Sequence, residues 1–171
     1  MKTYTIPKGE HYSMHLPKPY LGLKKSFTIK VLFDDSCRYD LGDIDQLDIN
    51  KLFGVSFGNH EVNSIRIGWT YNLKTQKIDL WYYCYENKIR SYGYMASVDI
   101  GIEAEIDLIL INDSPFPRFT IGIHTDGGFK FLYANSTPYK FPDWLVGYYL
   151  FPYFGGNKVA PHTINIKLDV Q

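Results

Sequence analysis

Three acidic side chains alternate with apolar ones over residues 103–107, which read EAEID. Residues two positions apart in a β-strand point to the same face, so Glu103, Glu105 and Asp107 would project together. A retaining glycosidase needs two carboxyl groups about 5 Å apart, one acting as nucleophile and one as general acid. These residues are therefore candidate catalytic groups, and the alternative is a solvated strand face.

A second set of residues could bind a ligand through aromatic rings. Trp81, Tyr83 and Tyr85 alternate with other residues in the stretch 76–86, so their rings would share one strand face. Sugars stack their apolar C–H faces on such rings, while polar side chains fix the hydroxyl groups. We expect two or more rings to bind a sugar, and the alternative is that most are core residues. The predicted ligand-binding residues are Trp69, Asp79, Trp81, Tyr83, Tyr85, Arg66 and Tyr92.

Other kinds of site find no support in the sequence. The acidic segment 34–48 lacks the regular oxygen-ligand spacing of a calcium loop, and no GxSxG nucleophile motif is present. We therefore predict no metal ion and no cofactor, and we interpret His162 as a structural residue. Cys37 and Cys84 lie 47 positions apart without a CxxC motif, and a core of this size should not require their disulfide.

The composition narrows the class of partner. Lysine plus arginine number 18 and aspartate plus glutamate number 18, so the basic surface of a nucleic-acid-binding protein is not expected. No apolar run approaches the length of a membrane span or a signal peptide, so we expect a soluble protein, with its compartment and oligomeric state left open. Aromatic residues make up 17% of the chain, which is more than a core of this size needs.

The apolar pattern alternates with period two almost throughout the chain, which predicts strands rather than helices. The stretch 76–111 indicates three strands separated by turns at residues 86–88 and 99–101. Long loops are predicted over residues 7–23 and 34–49. The remaining predicted strands are 2–6, 24–33, 51–58, 63–71, 118–124, 129–134, 146–154 and 162–170. Such a series predicts an all-β, antiparallel two-sheet jelly-roll sandwich that forms a single domain over residues 1–171.

Two segments resemble a known family. Residues 51–69 read KLFGVSFGNHEVNSIRIGW and residues 147–168 read GYYLFPYFGGNKVAPHTINIKL. Together they resemble the concanavalin A-like lectin/glucanase jelly rolls, of the kind found in uncharacterised bacterial proteins. The PYFGG-x3-APH pattern within the second segment is similar to the final strand, turn and strand of glucanase-type sandwiches. The resemblance implies the fold, which hosts lectins, glycosidases, lyases and inert modules alike.

The resemblance also bears on the carboxylate strand. Glucanases of this fold carry the order E-x-D-x-E, whereas residues 103–107 have the order E-x-E-x-D. Asp107 therefore stands where the general-acid glutamate would be, and Glu105 stands where the central aspartate would be. Because a shorter side chain withdraws its carboxyl group by about one bond length, we expect this strand to be catalytically silent.

Three functional interpretations remain open at this level. The first, which we prefer, is a carbohydrate-binding domain for an oligo- or polysaccharide, with the rings of residues 81–85 on the floor of a cleft. The second is a glycosidase in which Glu103 and a second carboxylate face each other inside that cleft. The third is a structural or assembly module with a flat aromatic patch that buries against a partner.

Overall fold

The computed structural model describes residues 1–15, 17–21, 25–111, 118–125, 128–136 and 146–171. These ranges contain twelve strands and two short 3-10 helices, which are Asp35–Cys37 and Ile44–Leu47. In chain order the strands are β1 (Lys2–Ile6), β2 (Lys18–Leu21), β3 (Ser26–Phe33), β4 (Asn50–Phe57), β5 (Ser64–Asn72), β6 (Lys77–Glu86), β7 (Ile89–Val98), β8 (Glu103–Ile111), β9 (Arg118–Thr125), β10 (Gly128–Ser136), β11 (Val146–Leu150) and β12 (Ile164–Val170).

The described strands form two six-stranded sheets. Sheet A has the order β1-β12-β3-β8-β9-β10, and sheet B has the order β2-β11-β4-β5-β6-β7. Neighbouring strands are antiparallel in both sheets, as in the β3–β8 and β5–β6 pairs. The prediction of an all-β, antiparallel two-sheet sandwich is confirmed.

Alternating apolar residues from both sheets form the core. In β3 every second residue from Phe27 to Phe33 is fully buried, and β6 buries Ile78 and Leu80 in the same way. Trp69 of β5 is also fully buried, and its ring centroid lies 5.5 Å from that of Phe33 across the sandwich. The period-two pattern of the sequence thus places one face of each sheet inside the protein.

The structure confirms most of the predicted strands. Strands β1 and β7 have the predicted bounds, and all but one of the other predicted strands lie within two residues of the observed ones. The exception is the predicted strand 146–154, which was too long because β11 ends at Leu150. Pro152 has no N–H to donate to a ladder, and Tyr153 forms only isolated bridges.

Both predicted long loops contain regular structure that the sequence did not indicate. The loop over residues 7–23 includes β2, which pairs with β11 at the edge of sheet B. The acidic segment 34–48 contains both 3-10 helices, and the side chains of Asp34 and Asp43 cap them by accepting backbone hydrogen bonds. These aspartates therefore have a structural role.

The two cysteines are buried and free, so no disulfide supports the fold. Burial raises the pKa of Cys84 to about 11 and raises the pKa of Cys37 further, which keeps both groups as thiols at neutral pH. In the described part of the chain, no helix is long and apolar enough to cross a membrane.

Replacement of the central core ring should lower stability strongly. We expect Trp69→Ala to reduce the free energy of unfolding by about 3–5 kcal/mol, because it leaves a cavity between the two sheets. Tyr94→Ala, at a half-exposed ring of β7, should change it by less than about 0.5 kcal/mol. Chemical denaturation followed by circular dichroism measures both values, and equal losses in the two variants would contradict the assignment of Trp69 to the core.

Candidate functional site

A groove of about 840 Å³ lies on the outer face of sheet B. Its walls include residues from the segments 12–17, 47–49 and 150–157. Its floor comes from four adjacent strands. The floor side chains include Lys51 of β4, Arg66 of β5, Tyr83 and Tyr85 of β6, and Arg90 and Tyr92 of β7.

The hairpin of β6 and β7 brings one half of the floor together. Residues 87–88 have φ values of 49° and 69°, the pair of positive φ angles that a tight type I′ hairpin turn requires. The resulting register places Tyr92 opposite Tyr83 and Arg90 opposite Tyr85. The rings of Tyr83 and Tyr92 are stacked, with centroids 6.3 Å apart and planes 20° apart.

An irregularity in β4 turns Lys51 into the groove. The pairing of β4 with β5 shifts by one residue between Lys51 and Phe53, which marks a β-bulge. Leu52 and Phe53 both enter the core, so Lys51 comes to the opposite face. Strict alternation would have placed Lys51 on the same face as Phe53, inside the sandwich.

A glycine makes room for the arginine of the neighbouring strand. Gly54 lies opposite Arg66, and a Cβ atom at position 54 would be 2.2 Å from the carbonyl oxygen of Ile65 and 2.8 Å from Cγ of Arg66. Neither approach is possible without a shift of the backbone. The Arg66 side chain therefore lies across the sheet over a position that has no side chain.

Lys51 is a buried amine in a positively charged environment. Only 9% of the residue is exposed, its Nζ donates a hydrogen bond to the carbonyl oxygen of Ile49, and Nζ lies 4.1 Å from the centroid of the Tyr83 ring. Burial, followed by the nearby charge of Arg66, lowers the pKa of Lys51 to about 8, while Asp48 acts in the opposite direction. The amine is thus close to its titration point at neutral pH.

Arg66 carries a buried charge with an unused donor. The residue is 9% exposed, and its Nε finds no hydrogen-bond partner among the described residues. Burial lowers its pKa, although arginine stays protonated at any physiological pH. Glu61 and Asp48 also line the groove, yet no carboxylate of the described chain forms an ion pair with Lys51, Arg66 or Arg90. The groove therefore has three cations against these two carboxylates, which act on Lys51 and Arg66 only from a distance.

Two tyrosine hydroxyl groups meet beside these cations. The hydroxyl of Tyr83 donates to that of Tyr85 over 3.5 Å, and their rings meet edge to face with centroids 5.7 Å apart. Burial, together with Tyr85, raises the pKa of Tyr83 to about 12, while a hydrogen bond from Arg90 acts in the opposite direction. Tyr83 therefore keeps its proton at neutral pH.

The structure divides the predicted ligand-binding residues into three groups. Arg66, Tyr83, Tyr85 and Tyr92 line the groove. Asp79 and Trp81 lie further along the same outer face of β6, outside the groove. Trp69, which was predicted to bind a ligand, instead lies in the core. It points inward from β5 together with Ile65 and Ile67, so it has no exposed surface for a ligand.

The three carboxylates of residues 103–107 do not line the groove. They lie on the outer face of β8 in sheet A, on the opposite side of the sandwich from the groove. Glu103 is exposed, whereas Asp107 accepts a hydrogen bond of 2.7 Å from the hydroxyl of Thr28. The expected pair of Glu103 and a second carboxylate inside a cleft is therefore wrong, because the pattern of one strand does not reveal which sheet it joins.

One cluster of potential metal ligands lies on this outer face of sheet A. Oxygen atoms of Glu105 and Asp107 and a ring nitrogen of His124 lie within 4.8 Å of one another. His124 contacts Asp107 at 3.0 Å, and Lys30 contacts Glu105 at 3.7 Å. Neighbouring protein groups thus occupy both carboxylates, and we assign no ion to this partly exposed cluster.

Sequence patterns missed part of the groove. Lys51 reaches the floor only through the bulge in β4, and a bulge has no signature in this sequence beyond Gly54 nearby. Tyr153 lines the wall because its backbone pairs with that of Lys51 about one hundred residues away in the chain. Such a contact is tertiary, so no local pattern could have indicated it.

Comparison with known proteins supports the fold. No protein-family model and no curated protein sequence matches the chain. Among solved structures it is similar to the alginate lyase vAL-1 from Chlorella virus, with a TM-score of 0.58 and 13% identity over 98% of this chain and 81% of that one. This likeness identifies the class of protein as a β-sandwich, without support for the concanavalin A-like family in particular.

A second solved structure also matches. It is the CBM2 module of an evolved Dit protein from Lactobacillus casei BL23 phage J-1, with a TM-score of 0.47 and 9% identity over 98% of this chain and 66% of that one. At this score the match adds nothing to the description of the fold.

The amine of Lys51 should titrate near pH 8, well below its usual value of 10.5. Between these two pKa values the unfolded chain binds more protons than the folded one. The contribution of Lys51 to the free energy of unfolding therefore becomes less unfavourable as the pH rises from about 8 to 10.5. Side-chain NMR of labelled lysine measures the pKa. Arg66→Met should raise it by removing a like charge, whereas Lys30→Gln on sheet A should not, and an unshifted pKa in the unaltered protein would contradict the buried position.

Proposed function

We propose that the groove on sheet B binds an acidic carbohydrate. The observation that carries this proposal is the buried guanidinium of Arg66, whose Nε–H has no partner in the described chain, beside the amine of Lys51. A buried charge without a partner is costly, so an anion that enters the groove gains more than it would at an exposed cation. Arginine also matches the planar geometry of a carboxylate.

The rings around these cations favour a sugar as the carrier of the anionic group. Tyr92 is 51% exposed and stacked on Tyr83, and Tyr153 meets the exposed ring of Tyr12 at the other wall. Aromatic side chains of this kind stack on the apolar faces of sugars. The rings surround a concave groove rather than a flat patch, which favours a ligand over a protein partner as the occupant.

The similarity to a solved sandwich agrees with this proposal. That protein is described as an alginate lyase, and alginate is a polysaccharide whose sugars carry carboxylates. The shared fold alone does not determine activity. The proposal therefore depends on the cations and rings of this chain.

Binding should require a negative charge on the carbohydrate. We expect a tetrauronate to bind measurably by isothermal titration calorimetry and a neutral cellotetraose to bind at least about 10-fold more weakly. Arg66→Met should weaken tetrauronate binding by about 10- to 100-fold, as the loss of a charge-assisted hydrogen bond predicts. Lys30→Gln on the outer face of sheet A is the matched control and should leave the affinity unchanged. Equal affinity for the neutral and acidic probes would refute the proposal.

The affinity should also depend on pH. Because an anion favours the protonated form of Lys51, tetrauronate binding should weaken as the pH rises through about 8. Lys51→Met should bind more weakly at pH 7 and should lose most of this pH dependence. Titrations at pH 6.5, 8 and 9.5 in the two proteins decide this, and a pH dependence that persists in Lys51→Met would exclude Lys51 as its origin.

A second candidate function is cleavage of such a polymer by β-elimination, which the contact between Tyr83 and the buried amine of Lys51 favours. A lysine with a pKa lowered to near 8 is suited to act as a general base, whereas Tyr83 retains a proton to donate. Arg66 would neutralise the carboxylate of a uronate.

The β-elimination step consumes no water. Neutral Lys51 removes the proton from the carbon next to the carboxylate, and the electron pair of that bond forms a carbon–carbon double bond. The bond from the adjacent carbon to the glycosidic oxygen breaks. The leaving oxygen takes the proton of Tyr83, so the products are an unsaturated uronate and a chain with a free hydroxyl group.

Elimination would produce an ultraviolet-absorbing product, which hydrolysis does not. Under this candidate function, polyuronate incubated with the protein gains absorbance, and Tyr83→Phe reduces the rate by at least about 100-fold. The rate should increase as the pH rises through about 8, opposite to the trend for binding. New reducing ends without unsaturated products would instead support hydrolysis. If neither kind of product forms, the protein binds the polymer without cleaving it.

A further inference from the structure

We propose that the binding face extends beyond the groove to a second platform, formed by Trp81 and Tyr94, which takes the uncharged ring of a neighbouring sugar residue. This inference rests on the proposed function and specifies the ligand further. The glycan would present an acidic residue to Arg66 and a neutral residue to the platform. A heteropolysaccharide with both kinds of sugar therefore fits this face better than a uniform polyuronate.

The platform lies on the same outer face as the groove. Trp81 precedes Tyr83 by two residues in β6, so their side chains point to the same side about 7 Å apart along the strand. A bulge in β7 places Tyr94 opposite Trp81, and the two rings meet edge to face with centroids 5.8 Å apart. Tyr94 is 55% exposed, and Trp81 is partly exposed.

The groove and the platform meet at one side chain. Ile49 lines the groove, and its Cγ2 lies 2.3 Å from the place where a Cβ atom of Gly68 would be. Gly68 lies opposite Trp81 in the register of β5 and β6. The side chain of Ile49 therefore covers Gly68 immediately beside Trp81, so that one oligosaccharide can contact both surfaces.

Hydrogen bonds hold both rings in place while leaving them open to solvent. The Nε1 of Trp81 donates to the hydroxyl of Thr70 over 3.0 Å, and the hydroxyls of Tyr94 and Ser97 are 3.0 Å apart. Rings with fixed orientations lose little conformational freedom when a sugar stacks on them. Thr70 and Ser97 also satisfy the polar atoms of the two rings without a ligand.

The charge of the platform differs from that of the groove. Asp79 accepts hydrogen bonds from the amide of Asn72 and from the hydroxyl of Ser97, and it makes no ion pair with a cation of the described chain. The nearby Lys77 pairs with Asp99 instead. A carboxylate ligand would be repelled by Asp79, whereas sugar hydroxyls can donate to it. The platform therefore selects an uncharged sugar.

The test compares three probes in calorimetric titrations of the whole protein. A tetrasaccharide that alternates glucuronate and N-acetylglucosamine should bind more tightly than a tetrauronate, by about three- to tenfold. Trp81→Ala should remove this advantage and leave the binding of a diuronate unchanged. Tyr94→Ala, at the more exposed ring, is the second variant and should reduce the advantage in the same direction.

The outcomes separate this inference from the proposed function. If both tetrasaccharides bind in an Arg66-dependent way and neither ring variant changes their affinities, the platform is overturned and the proposed groove is retained. Tighter binding of the tetrauronate than of the alternating tetrasaccharide would also overturn it. Absence of Arg66-dependent binding for every probe would overturn the proposed function as well. Circular dichroism of each variant confirms that a lost affinity is not a lost fold.

Discussion

The burial of one positive charge on the outer face of sheet B constrains the groove of this protein. Arg66 is almost fully covered, although its strand face is not part of the core. Water solvates a guanidinium far better than a covered sheet face does, so this position carries a standing energetic cost. The glycine at position 54 accommodates that group, because a side chain there would clash with Arg66. Lys51 shares the same environment, which is why its pKa is lowered.

Much of the fold could be predicted because it depends on strand periodicity. Residues such as Phe27 and Ile78 alternate with polar neighbours, and burial of one side of each strand fixes the register once the sheets meet. The same parity rule correctly grouped Trp81, Tyr83 and Tyr85 on one outer face. It could not decide which face of β5 is inner, so Trp69 was assigned to a ligand when it belongs to the core.

The site was less predictable because its residues come together through irregular and distant contacts. A bulge, not the alternation, presents Lys51 to the groove. The wall containing Tyr153 depends on pairing between chain segments that no local pattern connects. The carboxylates of Glu103 and its neighbours show a different limit. The strand and its shared acidic face are predicted correctly, but β8 belongs to sheet A, whereas the groove lies on sheet B. Chemical grouping along a strand therefore identifies a candidate surface, and only the topology of the sheets decides which surfaces coincide.

The position of β7 at the edge of the described sheet gives the two parts of the proposed ligand face different freedom to change. Among the described strands β7 is the last of sheet B, and its Tyr92 and Tyr94 side chains are half exposed. Substitution of Tyr94 changes the exposed face without disturbing a buried neighbour, whereas Arg66 is enclosed by strands on both sides. Under the proposed function, preference for the sugar can thus diverge at the margin of the sheet while the requirement for an anion is retained at its centre. The anion-binding residue proposed in β5 and the more replaceable rings of β7 are thus separated by one strand, β6.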